Sequence, residues 1–128
     1  MKSLLIFILL LSPACFLNAA AKLAEALSAA ELKRGCEVAI LMDEGKAVTA
    51  AQREDYMKAM SYIDGFMEAL TMAQSKNKNI RFISIPENAR LRMTYVRNVL
   101  TLLKEAPSFE SGTASVVMWT MADVIYSP

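Results

Sequence analysis

Apolar residues recur every three or four positions from Thr49 to about Ser75, the longest regular pattern in the chain. This spacing places them on one face of an α-helix. The stripe consists of Tyr56, Met60, Ile63, Met67 and Leu70, and is widened by Ala59, Phe66 and Ala73. A stripe of this width is typical of a helix that packs into a core rather than along a narrow two-helix seam. The pattern therefore predicts a fold built around one long amphipathic helix.

Two capping boxes mark where helices begin. Ser28 is followed by Glu31 at the third position, and Thr49 is followed by Gln52 in the same way. In each pair the two side chains can satisfy backbone N–H groups that the first helical turn leaves free. A first helix is thus predicted to begin at Ser28 and to stop at Gly45, and the long second helix begins at Thr49.

Two glycines fall inside these helices. Glycine costs about 1 kcal/mol relative to alanine within a helix, so a glycine there calls for a reason. Gly35 predicts that a neighbouring helix approaches closely, whereas Gly65 predicts either a close approach or a bend.

Two more helices are predicted downstream. Helix three should span about Ala89 to Ala106, and Pro107 should end it. Its inward residues are predicted to be Leu91, Tyr95, Val96, Val99, Leu102, Leu103 and Ala106. Helix four should run from about Thr113 to Ile125, with Ser111 or Thr113 as its cap. Its inward residues are predicted to be Val117, Met118, Met121, Val124 and Ile125. Four amphipathic helices predict an all-α, small four-helix bundle in a single domain, residues 22–128.

Residues 1–21 have the layout of a secretory signal peptide. A positive start at Lys2 precedes an apolar run, and small residues at 19–21 fit signal peptidase cleavage. The run is shorter than the about 20 residues that a membrane span needs. We therefore expect cleavage near Lys22, no stable membrane span afterwards, and a periplasmic protein. Lipidation at Cys15 is disfavoured, because Ser12 stands where a lipoprotein signal has an aliphatic residue.

Composition excludes several kinds of function. Once Lys2 leaves with the leader, 13 basic and 13 acidic residues remain, and this balance argues against nucleic-acid binding. The chain has no histidine, which excludes Ser–His and Cys–His nucleophile pairs and histidine metal sites. Asp64 and Glu68 lie one helical turn apart but lack the further ligands of a metal site. We therefore expect no catalytic residue, metal or cofactor, and no enzyme.

Protein partners are better supported by the sequence. Residues 22–75 carry a net charge of −3 and residues 76–128 a net charge of +3, which can attract within the fold or across a homodimer. Trp119 lies off the main inward face of helix four, so it is either buried packing or a partner-binding anchor. The turn with Lys76, Lys78 and Arg81 is a second candidate contact, unless it is simply solvated. Cys36 lies in an apolar helical register and is expected to be buried rather than paired with a cysteine of another chain.

The methionines invite the hypothesis of a copper site or an adaptable groove. Most of them, such as Met60, Met67, Met118 and Met121, fall on the predicted inward stripes and are expected to fill the core. Met57 and Met72 lie nearer the flank of helix two and could be exposed.

One constellation is more specific than composition. Residues 62–65 read Tyr-Ile-Asp-Gly within a helix, residues 82–86 read Phe-Ile-Ser-Ile-Pro, and a later helix ends at Pro107. Together with the leader and a first helix that carries Cys36, this arrangement resembles the Tai/Rap family of immunity proteins over most of residues 28–128. Members are small periplasmic helical proteins, and the characterised ones block a peptidoglycan amidase toxin delivered by type VI secretion.

The resemblance implies a function without chemistry of its own, in which the protein occludes the active-site groove of a secreted cell-wall amidase. It implies that the fold motif comprises Cys36, Tyr62, Gly65, Phe82, Ile85, Pro86 and Pro107. The family usually has four cysteines in two disulfides, and here only Cys36 matches one of them. Two alternatives remain open. One is a periplasmic stress chaperone whose fold opens at acid pH, and the other is an envelope-associated binding module with the same fold.

Overall fold

The computed structural model describes residues 27–76 and 91–126. In these two ranges the chain forms four α-helices, α1 (Ala29–Asp43), α2 (Ala50–Lys76), α3 (Arg92–Glu105) and α4 (Ala114–Tyr126), with a short 3-10 helix (Pro107–Ser111) before α4. The predicted all-α four-helix bundle is confirmed. The predicted leader, and residues 77–90, lie outside the described residues.

The first two helices begin as the capping boxes predict. The Ser28 hydroxyl accepts a hydrogen bond from the backbone N–H of Glu31 at 3.2 Å, and the Glu31 carboxylate accepts one from the Ser28 N–H at 2.9 Å. Thr49 and Gln52 form the same reciprocal pair, at 3.1 and 2.8 Å. Gly45, with φ of +72°, follows the end of α1, where a left-handed conformation favours glycine.

Gly35 allows α1 and α2 to pack closely, as predicted. A Cβ atom at Gly35 would lie 2.2 Å from the Ala59 Cβ and 2.5 Å from the Asp55 carbonyl oxygen. For Gly65 the predicted close approach is wrong, because a Cβ there would meet nothing within 4 Å. Gly65 is exposed on α2, on the side away from the buried stripe.

Helix α3 differs from the prediction at its start. Leu91 has an extended backbone, with φ −98° and ψ 131°, so the helix begins only at Arg92. Leu91 is 64% exposed, and its predicted inward position is wrong, because a residue before the first turn does not follow the helical register. The helix ends at Glu105, and Pro107 opens the 3-10 helix, which the sequence reading missed.

Helix α4 also corrects the prediction. Val117, Met118 and Met121 are fully buried as expected, but Val124 is 70% and Ile125 44% exposed. Tyr126 is buried instead, with its ring edge against Tyr95 at 6.4 Å between centroids. The inward face therefore continues from Met121 through Ala122 to Tyr126.

The two residues proposed as the cap of α4, Ser111 and Thr113, have different hydrogen-bond partners. The Ser111 hydroxyl donates to the Ser108 carbonyl within the 3-10 helix, at 3.0 Å. Thr113 directly precedes α4, and its hydroxyl lies 2.9 Å from the Ser115 hydroxyl.

The core lies where α1 and α2 meet α3 and α4. Its largest fully buried side chains are Leu32, Cys36, Ile63, Val96, Val99, Val117, Met118 and Met121. Methionines fill it as predicted, whereas Met57 and Met72 are exposed on the flank of α2. Within the described ranges no polar or charged residue belongs to the buried set. The core is therefore held together by the packing of apolar side chains.

Candidate protein-binding site

The large exposed side chains of α4 are apolar, although Ser115 and Asp123 are also exposed on this helix. Val116 is 48%, Trp119 51% and Val124 70% exposed, and Thr120 lies between them. We call these four residues the α4 face. The whole helix carries one charged residue, Asp123. A helix that is apolar on its outer side as well as its inner side is typically covered by another surface.

The other three helices present charged residues to solvent. These exposed side chains are Arg34 and Glu37 on α1, Arg53, Glu54 and Lys58 on α2, and Arg97 and Lys104 on α3. Several of them are paired, including Glu54 with Lys58, whose charged atoms lie 2.9 Å apart. The α4 face thus differs in chemistry from the outward faces of α1, α2 and α3.

Trp119 is held by an aromatic cluster that we define as Tyr62, Phe66 and Trp119. The Phe66 ring meets the indole edge to face, with centroids 6.4 Å apart, and stacks on Tyr62 at the same distance. Partial burial raises the pKa of Tyr62, against the opposing effect of a hydrogen bond with Ser115. The two α2 rings support the indole from one side and leave half of Trp119 accessible.

The exposure of Trp119 argues against one of the two interpretations of the sequence, full burial as core packing. A tryptophan buried as core packing would be largely hidden, whereas this one is half exposed. A large aromatic side chain that is supported on one side and accessible on the other is the usual geometry of an interface anchor.

A second surface surrounds the ion pair between Arg92 and Asp64. The Arg92 Nε donates to the Asp64 Oδ1 at 3.0 Å, and its terminal nitrogen donates to the Oδ2. These bonds raise the pKa of Arg92 further, and Tyr56 adds to the shift. Open clefts of about 440 and 520 Å³ lie on either side of Arg92, and methionines line both: Met67 and Met72 in one, Met42 and Met93 in the other.

Asp64 and Glu68, which the sequence places one helical turn apart, both belong to this second surface. The Asp64 carboxylate is engaged by Arg92 rather than shared with Glu68, although both line the same cleft. Among the residues in 27–76 and 91–126, no group of three or more acidic, cysteine or histidine side chains is arranged to hold a metal ion. The arrangement favours an ion pair that ties α2 to α3.

Cys36 is buried and free, as predicted. Burial is the main reason that the pKa of its thiol rises to about 12, and the nearby Glu37 adds to the shift. A thiol with such a pKa stays protonated at neutral pH and is a poor nucleophile.

The other predicted site residues are spread over the chain. Lys76 is the last residue of α2 and is exposed, whereas its predicted companions Lys78 and Arg81 lie outside the described residues. The same holds for Phe82, Ile85 and Pro86 of the fold motif. The structure therefore places Trp119 on α4 and Lys76 at the end of α2, and it does not describe the rest of the basic turn.

Val116 and Val124 complete the α4 face, and sequence reasoning missed both. A signal was present, since only one charge occurs in the thirteen residues of α4. Amphipathic helices at a surface normally carry polar residues on the outer side. In the part of the chain that the structure describes, no helix combines the length and apolarity required to cross a membrane.

The fold and the α4 face together define a small helical bundle with a half-exposed tryptophan on its last helix. No protein-family model, curated protein or solved structure matches the chain.

Proposed function

We propose that this chain is a protein-binding module that acts by occlusion, with Trp119 as its anchor. The observation that carries the proposal is the half-exposed indole in the middle of an apolar helix face. Tryptophan is enriched among the few interface residues that supply most of the binding free energy. Because the aromatic cluster already orients the indole, little side-chain entropy would be lost on binding.

The finer proposal is that the partner is a peptidoglycan-degrading amidase toxin and that the protein is a periplasmic immunity protein. It rests on the leader of residues 1–21 and on the resemblance carried by Cys36, by residues 62–65 and by residues 82–86. In this role the bundle covers the substrate groove of the amidase. Inhibition then needs shape and apolar contact, and no group on the bundle reacts.

The basic residues of the predicted turn would contribute mainly to the rate of association. Lys76, Lys78 and Arg81 give a local positive charge, and charges at the rim of an interface steer a partner of opposite sign more than they add affinity. Their contribution should therefore weaken as salt is raised.

The proposal is tested with residues 22–128, which contain every described helix. A panel of cell-wall amidase toxins is titrated with this protein, and hydrolysis of peptidoglycan is measured at each ratio. We expect one toxin to lose its activity at equal stoichiometry. The substitution Trp119→Ala should weaken that binding by about 30-fold, as expected for an interface anchor worth about 2 kcal/mol.

Met57→Ala is the matched control, because Met57 is also an apolar side chain that is well exposed, at 62%, and lies on α2. It should leave inhibition unchanged. Circular dichroism confirms that both variants keep their helices. Equal inhibition by the Trp119→Ala variant would reject Trp119 as the anchor. An unchanged association rate after charge reversal at Lys76, Lys78 and Arg81 would reject the basic turn. Many weak clients that increase at low pH would favour the chaperone instead.

A further inference from the structure

The methionines beyond residue 21 fall into groups that differ in exposure. Met57 is 62%, Met72 53% and Met42 36% exposed, and Met93 is intermediate. The others are almost completely buried, namely Met60, Met67, Met118 and Met121. In the described residues the free cysteine, Cys36, is buried as well. The sulfur-containing side chains that solvent reaches in this part of the chain are therefore methionines.

Met67 differs from the other buried methionines in its position. It is 4% exposed, yet it lines the open cleft of about 440 Å³ between α2 and α3 together with the exposed Met72. The other buried methionines line neither of the two clefts beside Arg92. Met67 thus lies at the boundary between the core and solvent.

The junction of α2 with α3 is less extensive than the junction of α2 with α1. Among the described residues, α2 packs mainly on α1 and much less on α3. At the surface of the α2–α3 junction, Arg92 donates two hydrogen bonds to Asp64. Both side chains are nearly half exposed, and an exposed ion pair adds little stability. Local opening of a folded protein occurs where packing is sparse, so Met67 should reach solvent without unfolding of the whole bundle.

We propose that this protein responds to peroxides in two steps and that Met67 is the residue at which the second step begins. In the first step the exposed side chains of Met42, Met57 and Met72 take up oxygen, and the bundle keeps its fold. In the second step Met67 is oxidised, and the junction of α2 with α3 opens. This inference goes beyond the proposed function and does not depend on it.

The chemistry is the same in both steps. The thioether sulfur attacks one oxygen of the peroxide, so that an S–O bond forms and the O–O bond breaks. The sulfur gives up two electrons and the peroxide is reduced. The proton on the transferred oxygen passes to the leaving oxygen, which departs as water or, from an organic hydroperoxide, as an alcohol. The product is a sulfoxide, which places a polar oxygen on a side chain that was apolar.

The consequence of oxidation depends on where the sulfoxide forms. On an exposed methionine, water donates a hydrogen bond to the new oxygen and the helix is not disturbed. Around Met67 the buried side chains are apolar, and no polar or charged residue belongs to the buried set of the described ranges. A polar atom without a hydrogen-bond partner is costly in such surroundings. The oxidised Met67 should therefore favour a state in which water enters the junction of α2 with α3.

Oxidation kinetics test the order of the two steps. The purified protein is treated with hydrogen peroxide, and the oxidised fraction of each methionine is measured by peptide mass spectrometry. The exposed side chains of Met42, Met57 and Met72 should react first, and the urea midpoint should be unchanged when they are fully oxidised. Met67 should react at least about tenfold more slowly, because it reacts only through local opening. It should nevertheless react before Met118 and Met121.

The ion pair between Arg92 and Asp64 supplies a sharper test. Asp64→Asn removes a charge that ties α2 to α3 and should speed the oxidation of Met67 about two- to fivefold, the effect expected of an exposed ion pair. Asp43→Asn is the matched control, because Asp43 is similarly exposed but its ion pair with Arg97 ties α1, rather than α2, to α3. It should leave the rate of oxidation at Met67 unchanged.

Met67→Leu tests the consequence of the second step. Leucine is close to methionine in volume and has no sulfur to oxidise. During prolonged treatment with peroxide, the urea midpoint of the wild-type protein should fall as the Met67 sulfoxide accumulates. The Met67→Leu variant should keep its midpoint over the same period.

Oxidation of Met67 no faster than that of Met118 and Met121 overturns the proposal, because the buried methionines then react only when the whole bundle unfolds. An Asp64→Asn variant that speeds all three equally, or that leaves Met67 unchanged, has the same meaning for the junction. So does a Met67→Leu variant whose midpoint falls as fast as that of the wild type. No toxin enters these measurements, so their failure leaves the proposed function, which is judged by toxin inhibition, unaffected.

Discussion

At the residue scale, two glycines in helices have opposite environments. Gly35 lies where α1 crosses α2, and a Cβ there would overlap the Ala59 side chain and the Asp55 backbone. Gly65 faces open space in the same long helix as these two residues. The same substitution at the two positions therefore isolates the effect of packing from that of helix propensity.

Gly35→Ala should lower the free energy of unfolding by about 1–3 kcal/mol, because two helix backbones must move apart. Gly65→Ala should raise it by up to about 1 kcal/mol, since alanine is favoured in an exposed helix. Urea unfolding followed by circular dichroism measures both. A stabilised Gly35→Ala variant would contradict the close crossing of α1 and α2.

At the scale of the element, the start of α1 depends on the pair of Ser28 and Glu31. The hydrogen bonds from the Ser28 N–H and hydroxyl lower the pKa of Glu31 below its usual value of 4.5. A carboxylate whose pKa is lower in the folded state stabilises the fold above its unfolded pKa. This contribution is lost as the pH falls through the lower, folded pKa.

Ser28→Ala should lower the free energy of unfolding by about 1 kcal/mol at pH 7, the usual effect of removing an N-cap. The loss should be smaller at pH 3, because the contribution of the Glu31 carboxylate declines once the pH falls below its usual pKa of 4.5. Unfolding at the two pH values measures this. Glu31→Gln serves as the control, since it removes the titrating group and should flatten the pH dependence that arises at this site.

At the scale of the whole molecule, the described part of the bundle is held by packing, with its one cysteine free and buried. The predicted leader carries Cys15, so residues 22–128 contain a single thiol. Disulfides typically contribute about 2–4 kcal/mol in small exported domains. In this chain the buried aliphatic and methionine side chains must supply that stability.

The thermal midpoint of residues 22–128 should therefore be the same with and without a reducing agent. In addition, Cys36 should react with a thiol reagent only after denaturant is added, because the folded thiol is inaccessible and its pKa is about 12. Calorimetry and mass spectrometry measure the two effects. A midpoint that falls on reduction would reveal a disulfide between chains.

The local signals in the sequence predicted local structure well. The boxes at Ser28 and Thr49, the stop at Gly45 and the buried stripe of α2 all depend on residues that are neighbours along the chain. Hydrogen bonds at a helix start and a clear 3.6-residue period need no knowledge of the remaining fold. The burial of Cys36 was predicted in the same way, from the apolar helical register of α1.

What the sequence alone determined is thus the existence of the four helices, the starts of α1 and α2, and the inner face of the helices that have a polar side. Only the tertiary structure decided which side of α4 points outward. Trp119, Val116 and Val124 lie on that side and are exposed. The physical reason is that α4 is apolar around nearly its whole circumference, so its periodicity does not distinguish a core face from a binding face. The inward side of α4 is set by its contacts with the core, in which Met118, Met121 and Tyr126 are buried whereas Val124 remains exposed.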